Sequence, residues 1–182
     1  VQELDWDRRH RHMRVHTALH LLSVVIPFGV TGGQIAATHG RLDFDMPDAI
    51  EDGLSFIENA IKKARHACAH TGLPSIADDS GLEVDALLGQ PGIYSARYAN
   101  GGGDTANNNK LLANLKNHAD RAARYQCVLA YMQHEHDPTP IICQGTWVGE
   151  IARNAAGSNG FGYDPIFRPA GFRESFAEMT IA

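Results

Sequence analysis

Ser55-Phe56-Ile57-Glu58-Asn59-Ala60-Ile61-Lys62-Lys63-Ala64, followed after Gly72 by Pro74-Ser75-Ile76-Ala77-Asp78-Asp79-Ser80-Gly81, is the stretch that sets the fold class. Ser55 and Glu58 form a capping box, in which the two side chains satisfy free N–H groups at a helix start. Ile57, Ile61, Ala64 and Cys68 recur at helical spacing and predict one apolar face. Gly72 and Pro74 stop that helix near His70. Pro74 to Ala77 then reads as a short strand delivering Asp78 and Asp79 to its C-terminal end, where sites on open α/β sheets collect. A helix handing over to a strand predicts an α/β domain.

Outward from this stretch, Asn107 to Leu115 reads as a second helix. Arg124 to Gln133 and Pro140 to Ala152 read as two long strands, joined by His134 to Thr139 as an antiparallel hairpin. Ile166-Phe167 is a last short strand. Before Pro47 the character differs. Arg8 to Val25 reads as a helix ended by Pro27 and Gly29, and Val30 to Ile35 and Arg41 to Asp45 read as short strands.

A chain of 182 residues suits one α/β domain. The net charge of -5 excludes a general nucleic-acid binder, which would carry a basic stripe. Cys68, Cys127 and Cys143 are odd in number and widely spaced, as expected of reduced thiols in a cytoplasmic protein. The apolar run Leu21 to Val30 is too short and too interrupted to span a membrane, and the N-terminus lacks a signal-peptide layout.

Two runs carry candidate chemistry. Glu51, Lys63 and Asp79 are the parts that metal-assisted phosphoanhydride hydrolysis needs: carboxylates for Mg²⁺, one of them to orient or deprotonate water, and a Lys against phosphate charge. On spacing alone, Asp78-Asp79-Ser80-Gly81 reads better as a solvated turn. The run Gly157 to Pro165 offers flexible backbone, and Phe161 or Tyr163 to stack on a base, worth ~1–3 kcal/mol. The competing reading is a Gly-rich turn with its aromatics in the core. Gly101-Gly102-Gly103 lacks the lysine and Ser/Thr of a P-loop and reads as a surface loop.

From about Ile50 to Thr180 the chain resembles the dITP/XTP pyrophosphatase family. The resemblance is carried by Gly53 to Ala60, Lys63 to Ala67, Ile76 to Leu82, Pro91 to Tyr98, Asn108 to Leu112, Gly145-Thr146-Trp147, Gly160 to Phe167 and Ala177-Glu178-Met179. It implies an elongated α/β structure with a mixed sheet flanked by helices, usually a homodimer. The implied reaction is Mg²⁺-dependent hydrolysis of purine nucleoside triphosphates such as dITP, ITP or XTP to monophosphate and pyrophosphate. By position, Glu51 and Asp79 match the metal-binding acids, and Asp79 the general base. Lys63 matches a phosphate contact, Ser80 a residue of the substrate site, and Phe161 the purine-stacking aromatic, with Gly162, Tyr163 and Asp164 lining the base pocket.

The family's Thr-Gly-Asn-x-x-Lys phosphate loop and its C-terminal Lys and Ser-His-Arg motif are not found in this sequence. The expectation is a chain truncated at both ends relative to the family, with impaired activity. Residues 1–47 resemble instead the editing domain of alanyl-tRNA synthetase, through Asp5 to Arg9, Met13 to Leu22 and Gly40 to Asp45. In that family a His-x-x-x-His pair binds Zn²⁺, which His16 and His20 match, but the downstream Cys-x-x-x-His partners are absent. The chain is thus expected to be a mosaic, divided into 1–47 and 48–182. The alternatives to the hydrolase are an inactive scaffold that binds nucleotide and a zinc-dependent aminoacyl-tRNA deacylase.

Overall fold

A computed structural model describes residues 34–36 and 48–179. The elements in chain order are β1 (Gln34–Ala36), α1 (Phe56–Thr71), β2 (Ser75–Val84), α2 (Gly103–Asn114), β3 (Ala122–Met132), β4 (Ile141–Ile151) and β5 (Phe167–Pro169). Short 3-10 turns cover Asp85–Leu87 and Gly92–Arg97. Among the described residues, one five-stranded sheet runs in the order β1-β2-β3-β4-β5. β1 pairs antiparallel with β2, Ile35 opposite Ile76, and β5 pairs antiparallel with β4, Glu150 opposite Arg168. The expected α/β fold is what the chain adopts. The helix over Arg8 to Val25, the strand over Arg41 to Asp45, most of the strand over Val30 to Ile35, His16, His20 and the boundary at residue 47 lie outside the described residues.

The chain divides into two compact units. Of the described residues, unit 1 holds 34–36, 48–80 and 127–145, and unit 2 holds 81–126 and 146–179. In unit 1 the capping box forms as expected. Ser55 Oγ accepts the Glu58 N–H at 3.2 Å and donates to Glu58 Oε2 at 2.9 Å, while Oε2 also takes the Leu54 N–H at 2.8 Å. Such a cap stabilises a helix by about 1 kcal/mol. Gly72 ends α1 in the left-handed conformation, φ 67°, its N–H on the Cys68 carbonyl.

Two expectations for unit 1 need correction. The buried face of α1 is Phe56, Asn59, Ala60, Ala64, Ala67 and Cys68, whereas Ile57 is 40% exposed. Ala64 and Cys68 are buried as expected, but Phe56 and Ala60 take the places of Ile57 and Ile61, because small alanines admit close packing and Phe56 fills the end. The second concerns β2. It does not stop at Ala77 with the two aspartates at its tip; it continues to Val84 and carries Asp78 to Gly81 in its middle. Asp79 is 6% exposed, so the solvated-turn reading fails. Pairing and charge neutralisation by α1 override the poor strand propensity of Asp, Ser and Gly.

In unit 2 the core gathers Leu82, Val84, Tyr98, Leu111, Leu115, Ala123, Ile151, Tyr163, Ile166 and Phe167. Tyr125 packs edge-on against Phe167 at 4.6 Å between ring centroids, and Phe176 lies 5.2 Å from Phe167. Ser95 ties the turn after β2 to the strand, accepting the Leu82 N–H at 2.8 Å and donating to the Gly92 carbonyl at 2.6 Å. The eight residues between β3 and β4 are too few for a parallel crossover, so the expected hairpin stands.

Candidate active site

Lys63 is the hub of a charged cluster in unit 1. Its Nζ lies 2.7 Å from Glu51 Oε1, 2.7 Å from Asp79 Oδ1 and 3.1 Å from the Asp78 carbonyl. Burial works against the ammonium, but the hydrogen bonds to Asp79 and Glu51 and their charges outweigh it and hold Lys63 above its ordinary range. Burial pushes the Asp79 carboxyl up, Lys63 and the Asn59 amide pull it down, and the net direction is upward. A carboxylate made more basic while still hydrogen-bonded suits a general base.

Sequence reasoning missed Asn59. It is 0% exposed and bridges two parts of the cluster. Its Nδ2 donates to Asp79 Oδ2 at 3.2 Å, and its Oδ1 accepts the Gly53 N–H at 2.8 Å. A Cβ at Gly53 would fall 2.6 Å from that Oδ1, so the close approach requires glycine. The signal was present: an amide one turn beyond Ser55, on a face otherwise made of Phe, Ala and Cys, needs buried polar partners.

Ser80 does not join this cluster. Side chains alternate along a strand, so Asp78 and Ser80 share the face opposite Asp79. The Ser80 hydroxyl donates to Asp78 Oδ2 at 3.2 Å. Burial raises Asp78 to about 6, opposed by Lys63 and by the Ser80 hydroxyl. Burial likewise raises the neighbouring Cys127 thiol to about 11, which leaves it protonated and inert.

Among the described residues no group of three or more His, Cys, Asp or Glu side chains is arranged to hold a metal. Two carboxylates nevertheless converge on one cationic nitrogen, at 2.7 Å each. That pair suits a hard divalent cation, which takes oxygen ligands and shares them with phosphate and water.

The Phe161 loop belongs to unit 2. The Asp164 carboxylate accepts the Phe161 N–H at 3.0 Å and the Tyr125 hydroxyl at 3.2 Å. Gly160, at φ 75°, has no room for a Cβ, which would lie 2.1 Å from Asp164 Oδ2. Tyr163 is a core residue, 4% exposed, with its hydroxyl on the Ser95 carbonyl at 2.9 Å. Of the two aromatics considered for stacking, Tyr163 is therefore committed to the interior. Phe161 is only part-buried, and no ring contact involves it among the described residues.

Comparison with known proteins decides the family. The Ham1 family model matches residues 8–182. The chain belongs to the Ham1 family. A protein of Thioalkalivibrio sulfidiphilus named dITP/XTP pyrophosphatase is 57% identical over 143 residues, 77% of this chain and 73% of that relative. One of the same name from Vibrio parahaemolyticus is 59% identical over 128 residues, 69% of this chain and 64% of the relative. The chain thus spans about two thirds to three quarters of the length of these relatives. A solved Ham1 protein of Coxiella burnetii matches with TM-score 0.72 at 49% identity, over 74% of this chain and 70% of the other. A solved nucleoside-triphosphatase / dITP/XTP pyrophosphatase of Mycobacterium abscessus matches with TM-score 0.68 at 39% identity, over 91% and 84%. The Ham1 match takes in most of residues 1–47, and the editing-domain resemblance and the mosaic have no support.

Proposed function

We propose that this Ham1 chain hydrolyses non-standard purine nucleoside triphosphates, dITP, ITP or XTP, to the monophosphate and pyrophosphate. The observation that carries the proposal is the part-buried Lys63 ammonium held at 2.7 Å by both Glu51 and Asp79, in a chain 57% identical over 143 residues to a protein named dITP/XTP pyrophosphatase. Enzymes of this family generally depend on a divalent metal. We take it to be Mg²⁺, with Glu51 and Asp79 as its protein ligands. When bound, it neutralises phosphate charge and polarises phosphate oxygens.

The residues themselves do the following. Asp79 orients a water and takes its proton as the water oxygen bonds to the α-phosphorus. The bond from that phosphorus to the bridging oxygen breaks, and pyrophosphate leaves with the electron pair. Lys63 neutralises phosphate charge and, with Asn59, fixes the rotamer of Asp79. In unit 2, Phe161 offers its ring to the purine, and the backbone of Gly162 to Asp164 borders the base. Ser80 contributes through its backbone position beside Asp79, since its hydroxyl is spent on Asp78.

The proposed working form is a homodimer, for which β4 offers exposed Trp147 and Val148. Among the described residues no helix is long and apolar enough to cross a membrane. The proposed compartment is the cytoplasm, as suits three free cysteines. The assignment of Asp79 is tested by Asp79→Asn, which is expected to lower kcat on dITP by about 10²- to 10⁴-fold. A variant that turns over dITP as fast as the parent would sink it.

A further inference from the structure

Gly162, in the middle of the Phe161 loop, is gripped at both its N–H and its carbonyl by one helix. Its N–H donates to Asp104 Oδ2 at 2.7 Å, and its carbonyl accepts the Asn108 Nδ2–H at 3.0 Å. Asp104 and Asn108 are four residues apart on α2, so they lie one above the other on a single face. Asp104 sits in the first turn, where the helix dipole favours a negative charge. Gly162 itself adopts φ 58°, and a Cβ there would meet nothing within 4 Å. The glycine therefore answers a torsional need, and the clamp is what selects that torsion.

The clamp has a cost. Asn108 is 7% exposed, and its Oδ1 has no hydrogen-bond partner. A buried amide that leaves one end unsatisfied to hold a neighbouring loop is placed for that loop rather than for the packing of α2. Other braces come from within unit 2's own loop and from Ala177. Asp164 holds the Phe161 N–H, and the Ala177 carbonyl takes the N–H groups of Ser158 and Asn159 at 3.1 and 3.0 Å. The peptide on the C-terminal side of Phe161 is held at its N–H by Asp104 and at its carbonyl by the Asp164 N–H at 3.1 Å, and the next peptide is held at its carbonyl by Asn108.

We propose that Asp104 and Asn108 are positioning residues for base recognition: by clamping Gly162 from α2 they set the face that Phe161 presents to a purine. This rests on the reading of Phe161 as the base contact. The clamp touches backbone only, so it acts on every purine-bearing ligand and on none that lacks a base.

The test uses two probes on the intact chain, inosine monophosphate, which carries a base, and inorganic pyrophosphate, which carries none. Calorimetric Kd values are measured for the parent, Asp104→Ala, Asp104→Asn, Asn108→Ala and Phe161→Ala, with thermal melts as the folding control. Asp104→Ala and Asn108→Ala are expected to weaken inosine monophosphate by about fivefold and leave pyrophosphate within twofold, since each removes one hydrogen bond from the loop. Asp104→Asn keeps an acceptor and is expected to recover most of the loss. Equal weakening of both probes, or no rescue by Asp104→Asn, would show a merely structural role and overturn the proposal. Phe161→Ala weakened with Asp104→Ala unchanged overturns the clamp alone. Phe161→Ala unchanged, or a parent that does not bind inosine monophosphate, overturns the base-contact reading and the clamp together.

Discussion

Unit 1 and unit 2 hold their candidate residues by opposite means. In unit 1 side-chain charges restrain one another: the Lys63 ammonium fixes Glu51 and Asp79, and Asn59 takes the other Asp79 oxygen. In unit 2 the restrained groups are backbone. Asp164 and Asp104 accept the N–H groups of Phe161 and Gly162, and Asn108 holds the Gly162 carbonyl. A charged cluster can move protons and offset phosphate charge. A pinned glycine loop can hold an aromatic face still. Substitutions in unit 1 are accordingly expected to lower kcat, and those in the loop to raise KM.

The largest expected effect lies in unit 1. Lys63→Met removes the partner of two carboxylates and is expected to lower kcat on dITP by roughly 10²–10³-fold, the scale of losing one charge-stabilising donor. An unchanged kcat with a raised KM would break the contrast. Next is Phe161→Ala, expected to raise KM for dITP by about tenfold with kcat little changed, from ~1–3 kcal/mol of base stacking. A loss confined to kcat would place Phe161 with the unit 1 residues.

Asn59→Ala sharpens the comparison through stability. It strands the Gly53 N–H and one oxygen of Asp79, both inside unit 1. A loss of about 1–3 kcal/mol is expected by urea unfolding. A loss below about 0.5 kcal/mol would mean that Asn59 does not organise the cluster.

The smallest effect is a pH slope. Burial holds Asp78 protonated up to about 6 in the folded chain, against an ordinary value of 3.8. Between those values the folded state binds the extra proton, so stability falls as pH rises through the window. Below pH 3.8 the group is protonated in both states, and above about 6 the loss is complete. In metal-free protein, unfolding at pH 5 and 7 is expected to show this decline, and Asp78→Asn is expected to flatten it. An unaltered slope in the variant would remove Asp78 as its source.

Local signals carried what the sequence made legible. The Ser55/Glu58 box, the Gly72 stop and the hairpin over residues 133–140 depend on neighbours in the chain, and all three stand. The grouping of Glu51, Lys63 and Asp79 was legible because their charges have few uses together. The length of β2 was not. Asp78-Asp79-Ser80-Gly81 is turn-like by composition, and Lys63, Asn59 and the ladder keep it extended. Phe161 and Tyr163 were indistinguishable in sequence, since both are aromatic and two residues apart. Their fates are set by the Ser95 carbonyl, distant in the chain, which captures Tyr163. Asn59 escaped notice because its partners, Gly53 and Asp79, arrive from either side of α1.

The central claim is tested most directly by Mg²⁺-dependent pyrophosphate release from dITP, with dGTP as the comparison. The account expects release that stops with EDTA and favours dITP. No release from a folded sample, or equal release from dGTP, would contradict it.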